Sequence, residues 1–300
     1  MESRPAADLS LLENPDALLG HLARVLSAHC GVESLFRNEE CNRNVRTSSV
    51  LLLLGQRVLE PGGAPETCII LNKRSGAVKQ SGDLCCPGGA VEPRSDPWFA
   101  RLLSLPGSTL SRWPCWSTLR RGQPLEAEFL SLLLAAGFRE SWEEMRLNPF
   151  GLRFLGPLPS QCLVLFRRVV HPMVVWVSRQ KKFSLSWEVE RIVEIPLRAL
   201  LNPFNYGMHR LYIPPGLEWR FQGKRADFPC FLYTHEGRAD LLWGVTFRIV
   251  TLLMELAFGF IPPDPARLPL VPTSLREEYV NGRTNNELRR NEVRSSAAAH

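Results

Sequence analysis

Eight cysteines are present (Cys30, Cys41, Cys68, Cys85, Cys86, Cys115, Cys162 and Cys230), yet no two form a Cys-x-x-Cys pair. That argues against a zinc knuckle or ribbon. In a chain this long they read as reduced, mostly buried thiols. The N-terminus lacks a basic flank followed by an apolar core, so no secretory leader is expected. No uncharged apolar run is long enough to cross a bilayer. The longest candidate, residues 241–260, contains Arg248 and Glu255 and reads as a buried amphipathic helix. No dense Lys/Arg run with interleaved aromatics exists. A net charge of +6 and a pI of about 9.0 therefore fit a small anionic ligand better than a nucleic acid or a membrane. Neither an internal repeat nor a terminal Ser-Lys-Leu address is evident. A cytoplasmic siting is expected, with a mitochondrial one left open.

What is there suits a folded enzyme-sized unit. The chain has 300 residues, 45% of them apolar, enough for one large core. A helix is expected from Asn14-Pro15-Asp16, with Leu18, Leu19, Leu22, Val25 and Leu26 on one stripe. Residues 31–47 are mixed and charged and read as loop or an irregular helix end. Ser49–Leu54 and Thr67–Leu71 read as buried strands joined across the Pro61-Gly62-Gly63 turn. Residues 97–123 hold five prolines or glycines and three tryptophans, and read as an inserted loop with an apolar anchor. Leu125–Leu147 reads as a helix with Phe129, Leu132, Leu133 and Ala136 inward, ended by Asn148-Pro149. Phe154-Leu155, Cys162–Val170 and Met173–Val177 read as strands. Ile192–Leu201 starts as a strand and passes into a short helix. Residues 202–229 suit a substrate-binding loop; Phe231–Tyr233 is a short strand and Asp240–Phe258 a helix. From Pro262 the chain reads as a mobile tail. The domain plan is thus a helical extension over 1–44, a main domain over 45–261 and a tail over 262–300. Strand and helix signals alternate, with hairpins, which favours an α/β fold with a mixed sheet between helices.

The chemistry centres on Arg139-Glu140-Ser141-Trp142-Glu143-Glu144. On a helix the three glutamates share one face, at i, i+3 and i+4, and repel each other. A hard cation such as Mg²⁺, which takes carboxylate oxygens together with substrate phosphates, would resolve that repulsion. A solvated acidic face is the plain alternative.

Upstream, Lys73-Arg74-Ser75 is followed by Gly82-Asp83-Leu84-Cys85-Cys86-Pro87-Gly88-Gly89. With the Arg-Glu-x-x-Glu-Glu helix, this resembles the Nudix box, G-x5-E-x7-R-E-apolar-x-E-E-x-G-apolar, in its coenzyme A diphosphatase branch. Phe154-Leu155-Gly156-Pro157-Leu158, His171-Pro172, Glu188-Val189, Glu194-Ile195-Pro196-Leu197 and Leu242-Trp243-Gly244-Val245-Thr246 are similar to later signatures of that branch. The departures are definite. Forty-two residues separate Asp96 from Arg139. Strict counting from Gly89 reaches Ser95, and Asp96 fits the first acid only with a one-residue slip. Arg146 stands where the box has glycine, and Cys86 where a phenylalanine is usual.

The resemblance implies an α/β/α sandwich and a metal-dependent diphosphate hydrolase. Mg²⁺ or Mn²⁺ would be held by Glu140, Glu143, Glu144 and, from outside the helix, Glu188, with Glu190 and Glu194 as lesser candidates. Glu140 would also position or deprotonate the attacking water, and Arg139 would pair with a helix carboxylate. Gly88 and Gly89 would shape the backbone near the metal, and Arg74 and Lys79 would grip substrate phosphates. The implied substrate is coenzyme A or acyl-CoA; another nucleoside diphosphate derivative, such as ADP-ribose, or a degenerate nucleotide-binding module are the alternatives. A homodimer is a candidate assembly. The insertion is read either as a lid over the nucleotide or as a surface excursion anchored by its tryptophans.

Overall fold

The computed structural model describes residues 9–28, 46–163, 168–221, 223–275 and 279. Most of the loop expected over 31–47, part of the Cys162–Val170 strand, and Cys30 and Cys41 lie outside the described residues; Arg46 and Thr47, expected in that loop, are strand.

Helix α1 (Pro15–Ala28) starts where Asn14 Oδ1 accepts from the Ala17 N–H (3.0 Å), an N-cap. It buries Leu18, Leu22 and Leu26. Strands β1 (Arg46–Arg57) and β2 (Glu66–Arg74) form the expected antiparallel hairpin. Short strands β3 (Leu84–Cys85) and β4 (Gly88–Ala90) pair with β2 and β1. Helices α2 (Asp96–Leu103) and α3 (Trp116–Gly122) precede the long α4 (Pro124–Met145). Then come β5 (Leu152–Pro157), β6 (Gln161–Leu163), β7 (Arg168–Val177) and β8 (Val189–Pro196), which passes into α5 (Leu197–Leu200). These eight strands make one mixed sheet in which β1 and β7 run parallel and the other pairs antiparallel. Strands β9 (Tyr206–Tyr212), β10 (Arg225–His235), β11 (Arg238–Trp243) and β12 (Leu270–Ser274) make a second sheet. Helix α6 (Glu218–Phe221) lies between β9 and β10, and α7 (Gly244–Phe258) follows β11.

The larger sheet lies between two layers. Alternation along β1 sends Leu51 and Leu53 to one face and Leu52 and Leu54 to the other. The first face packs against α4, with Leu130, Leu133, Leu134 and Phe138. The second packs against α1, α7 and the smaller sheet through Leu22, Phe231, Ile249 and Leu253. This is the α/β/α arrangement expected from the alternating pattern.

Several expectations are corrected. The insertion is not a loop with one anchor: it contains α2 and α3, which pack on the outer side of α4. Sandwiched on two sides, α4 buries a wider arc than the single expected stripe, including Leu130 and Leu134, while Phe129 and Leu132 sit at its margin. Of the expected Cys162–Val170 strand, Cys162 and Leu163 fall in β6, whereas Arg168–Val170 run on through His171-Pro172 and join the expected Met173–Val177 strand as β7. Pro172 falls in the gap between the β6 and β5 pairings, where the neighbouring strand requires no donor from it. Residues 202–229 are not one long loop but contain β9, α6 and the start of β10. The helix expected from Asp240 begins at Gly244, because Glu236-Gly237, both at positive φ, turn β10 back into β11. The tail, expected to be loose from Pro262, contributes β12, which runs parallel to β9. Cys162 is disulfide-bonded rather than reduced, whereas Cys68, Cys85, Cys86, Cys115 and Cys230 are free.

Trp113 ties the insertion to the core. It is 3% exposed, its indole N–H donates to the Leu155 carbonyl (3.0 Å), and its ring lies 5.1 Å from that of Phe154. Replacing it by alanine leaves a cavity and an unpaired carbonyl. Trp113→Ala is expected to destabilise the protein by about 3–5 kcal/mol, read as a shift in the urea midpoint. A loss below about 1 kcal/mol would show that the insertion docks without it.

Candidate active site

The site forms where two loop–sheet–helix contacts meet. Strand β4 lies against β1, with Gly89 opposite Ser49 and Gly88 opposite Val50. Gly88 has φ +143°, and a Cβ there would lie 2.3 Å from the Ser49 carbonyl oxygen. A Cβ on Gly89 would lie 2.4 Å from the Glu140 carboxyl carbon. Both glycines are therefore required by close approach, one to the sheet and one to the acidic helix.

Helix α4 brings Arg139, Glu140, Glu143 and Glu144 to this loop. Arg139 joins the two halves. Its Nε donates to Asp96 Oδ1 (2.7 Å) and its Nη2 to the Ala90 carbonyl (3.0 Å). Its Nη1 reaches Glu140 Oε1 (3.0 Å) and, at 3.4 Å, Glu143. Burial works against the guanidinium charge, but the Asp96 hydrogen bond and the Glu140 charge hold its pKa above the ordinary value. Asp96 is fully buried and also accepts from the Glu92 N–H (2.6 Å). The acid that faces the helix arginine is thus Asp96; Ser95, reached by strict counting, is the N-cap residue of α2.

Glu144 is nearly buried. Its Oε2 accepts from Asn72 Nδ2 (2.8 Å) and from the Gly88 N–H (3.4 Å). Burial first, and then the Glu140 charge, push its pKa up to about 8; the Gly88 hydrogen bond and Arg74 oppose the shift, and Glu188 adds to it. Glu140 is also raised, mainly by burial, against the pull of Arg139. Glu188 bears on both carboxylates, and its backbone is tied to the end of β2 through Ser75 N–H to Glu188 O (2.8 Å).

Of the sequence-predicted residues, Arg139, Glu140, Glu144, Glu188, Gly88, Gly89 and Arg74 therefore gather here. Glu143 sits at the rim, its side chain 56% exposed. Lys79 is exposed, and it is its carbonyl oxygen that serves, accepting from Arg74 Nε (2.8 Å). Lys73 is taken up by Asp240 (3.0 Å) and Glu194 by Arg57 (2.5 Å), which leaves both in structural ion pairs. Glu190, half exposed, lies 3.9 Å from Arg191. Asn72 was missed; the signal for it was a lone amide in the apolar run Cys68-Ile69-Ile70-Leu71.

Among the described residues, no three His, Cys, Asp or Glu side chains are close enough to form a ready ligand set. The expected set is spread apart because Arg139 holds Glu140 and draws Glu143, while Asn72 and Gly88 hold Glu144. The donor chemistry still fits a hard cation. Hard carboxylate oxygens lie near one another, and two of them are raised by burial and mutual repulsion, which a divalent ion would relieve. At the end of the helix, Arg146 adopts left-handed backbone (φ +53°). A glycine there would be free of the steric cost that any side chain pays.

No protein-family model matches the chain, and no curated protein sequence matches it. Solved structures similar to it include an Ap4A hydrolase binary complex of C. elegans, at 14% identity and TM-score 0.32, covering 52% of this chain and 84% of that one. A Nudix hydrolase of Alicyclobacillus acidocaldarius matches at 12% identity and TM-score 0.34, over 53% of this chain and 82% of its own. The Nudix domain of Shewanella oneidensis NrtR, complexed with ADP ribose, matches at 12% identity and TM-score 0.32, over 57% and 86%. All three are distant in sequence and in backbone course.

The raised Glu144 carboxyl makes stability depend on pH. A carboxyl whose folded pKa lies above its unfolded one contributes fully below the ordinary value near 4.5, and that contribution is lost as pH rises through about 8. Without divalent metal, Glu144→Gln is expected to be more stable than the parent at pH 8.5, by at least about 1 kcal/mol. The two should converge near pH 4.5. Thermal melts across this range in the presence of a chelator check it, and parallel curves would refute a raised pKa.

Proposed function

We propose that this chain is a divalent-metal-dependent Nudix hydrolase that cleaves the diphosphate of coenzyme A or its thioesters. The products are (acyl-)4′-phosphopantetheine and adenosine 3′,5′-bisphosphate. One observation carries the reading: Arg139 clamps Asp96 and the Ala90 carbonyl. Across a long insertion, that clamp sets the Gly88-Gly89 loop against Glu140 and Glu144. A pure binding module has little use for like charges held together in a buried place.

Glu140, Glu144 and Glu188 would hold Mg²⁺ or Mn²⁺, with Glu143 closing from the rim. Such an ion supplies charge neutralisation on the phosphoryl oxygens and lowers the pKa of bound water. The protein's own groups do the rest. Arg139 fixes the Glu140 carboxylate across from Gly89, where it can take a proton from an attacking water. Asn72 and the Gly88 N–H orient Glu144. Arg74, anchored on the Lys79 carbonyl, offers a guanidinium to the diphosphate next to Glu144.

Ap4A hydrolase and an ADP-ribose-bound domain stand among the similar structures, so a dinucleotide or ADP-ribose is the second reading. The protein, incubated with coenzyme A, ADP-ribose and diadenosine polyphosphates with and without Mg²⁺ or Mn²⁺, is expected to cleave coenzyme A only with metal. Glu144→Gln should lower that rate by about a hundredfold or more. Cleavage of ADP-ribose but not coenzyme A would move the proposal to the second reading. A separate readout needs no turnover. At 100 times its dissociation constant, Mn²⁺ should stabilise the parent by about 2.7 kcal/mol and Glu144→Gln by much less; equal stabilisation would remove Glu144 from the metal site.

A further inference from the structure

The insertion has two unlike faces. Helix α2 carries Asp96, Ala100 and Leu103 at i, i+4 and i+7; Asp96 and Ala100 are buried, and the helix packs on α4. Trp98, Leu102 and Leu105 repeat that spacing on the opposite face, with Phe99 one turn before Leu102. In that order the four are 67%, 59%, 55% and 46% exposed. No other helix among the described residues exposes more than two large apolar side chains. A contiguous apolar stripe left in water marks a surface that something else covers.

The charge around the stripe is of one sign. Over the whole chain, 36 Lys and Arg are set against 30 Asp and Glu. From Pro97 to Leu125 there is no Asp or Glu, whereas Arg101, Arg112, Arg120 and Arg121 fall in the segment and are all exposed. Arg101 lies beside the stripe, its guanidinium carbon 5.2 Å from the Trp98 ring centroid. Arg120 and Arg121 end α3, which packs on α4 as α2 does. The acids that bound the segment are Asp96, buried and paired with Arg139, and Glu126, in the first turn of α4. Size separates the candidate occupants. An eight-residue helix spans about 12 Å, and a stripe that short covers much less than the roughly 800 Å² per partner of a stable protein interface. A bilayer asks for less. Tryptophan and arginine settle at its headgroup level, leucine and phenylalanine reach the acyl boundary, and arginine meets anionic headgroups.

We propose that the outer face of α2 docks the protein reversibly on anionic phospholipid bilayers. Trp98, Phe99, Leu102 and Leu105 enter the interface, and the arginines of the insertion meet the phosphate-bearing headgroups. The docking face does not depend on the hydrolase reading. It is nevertheless fixed relative to the carboxylate site, because Asp96 opens α2 and is held by Arg139.

Co-sedimentation of the full chain with phosphatidylcholine vesicles, with and without about 30% phosphatidylglycerol, tests this. The parent is expected to bind the anionic vesicles at least about tenfold more strongly than the neutral ones, and the difference should shrink in about 0.5 M salt. Trp98→Ser combined with Leu102→Ser should lower binding to anionic vesicles by about tenfold or more. Arg101→Gln should lower it about fivefold and leave the weak neutral binding unchanged. These side chains are exposed, so the variants should melt with the parent, which separates lost docking from lost folding. No binding by the parent, equal binding to both vesicles, or binding retained in the double variant would each overturn the proposal. A concentration-dependent dimer in sedimentation velocity, dissolved by the double variant in a protein that ignores vesicles, would overturn it too and give the face to a second copy of the chain.

Discussion

The contact between Arg139 and Asp96 carries more of this structure than its size suggests. A buried carboxylate is costly unless it is paired and hydrogen-bonded. Asp96 meets both conditions at once, through Arg139 and the Glu92 N–H. The same guanidinium holds the end of β4 at Ala90 and the neighbouring Glu140. Loop, insertion and acidic helix are thus referred to one planar group. Remove it, and Glu140 loses its orientation while Asp96 is left buried without a counter-ion.

Around that contact the electrostatics are unbalanced in two directions. On the helix side, Glu140 and Glu144 are pressed together, and burial drives both toward the neutral form. On the sheet side, Arg46, Arg74 and Arg168 have no carboxylate within ion-pair distance among the described residues. Neither imbalance stabilises the fold. Each is the kind of local conflict that folded proteins tolerate at binding sites and seldom elsewhere.

How much of this was legible in the sequence follows from distance along the chain. The acidic face of α4 was readable because i, i+3 and i+4 neighbours are fixed by helix geometry alone. The β1–β2 hairpin was readable because its turn residues lie between two apolar runs. Asn72 against Glu144 was not, since nothing local says which strand passes under the helix. Nor was the Arg46–Arg168 register, which depends on a parallel pairing across more than a hundred residues. Leu241-Leu242 misled for another reason: a short apolar pair looks the same at the end of a strand as at the start of a helix. The tail misled because proline spacing suggested loose chain, whereas Pro272 sits within β12 at the sheet edge. Asp96 could be proposed only with a slipped count, and it took the buried ion pair to choose it over Ser95.

The excursion between Asp96 and Arg139 has a consequence for how such a chain tolerates change. Closing a flexible loop of 42 residues rather than seven costs only about 1.6 kcal/mol more, because closure entropy grows with the logarithm of length. Burying the indole of Trp113 offsets that by itself. Length between the two halves of the site is therefore nearly free, but the direction from which the chain re-enters is not. The excursion must deliver Pro124 at the angle that sets Arg139 over Asp96. Natural variants of this segment should accordingly differ widely in residue number while keeping the aromatic residues that fix its docking.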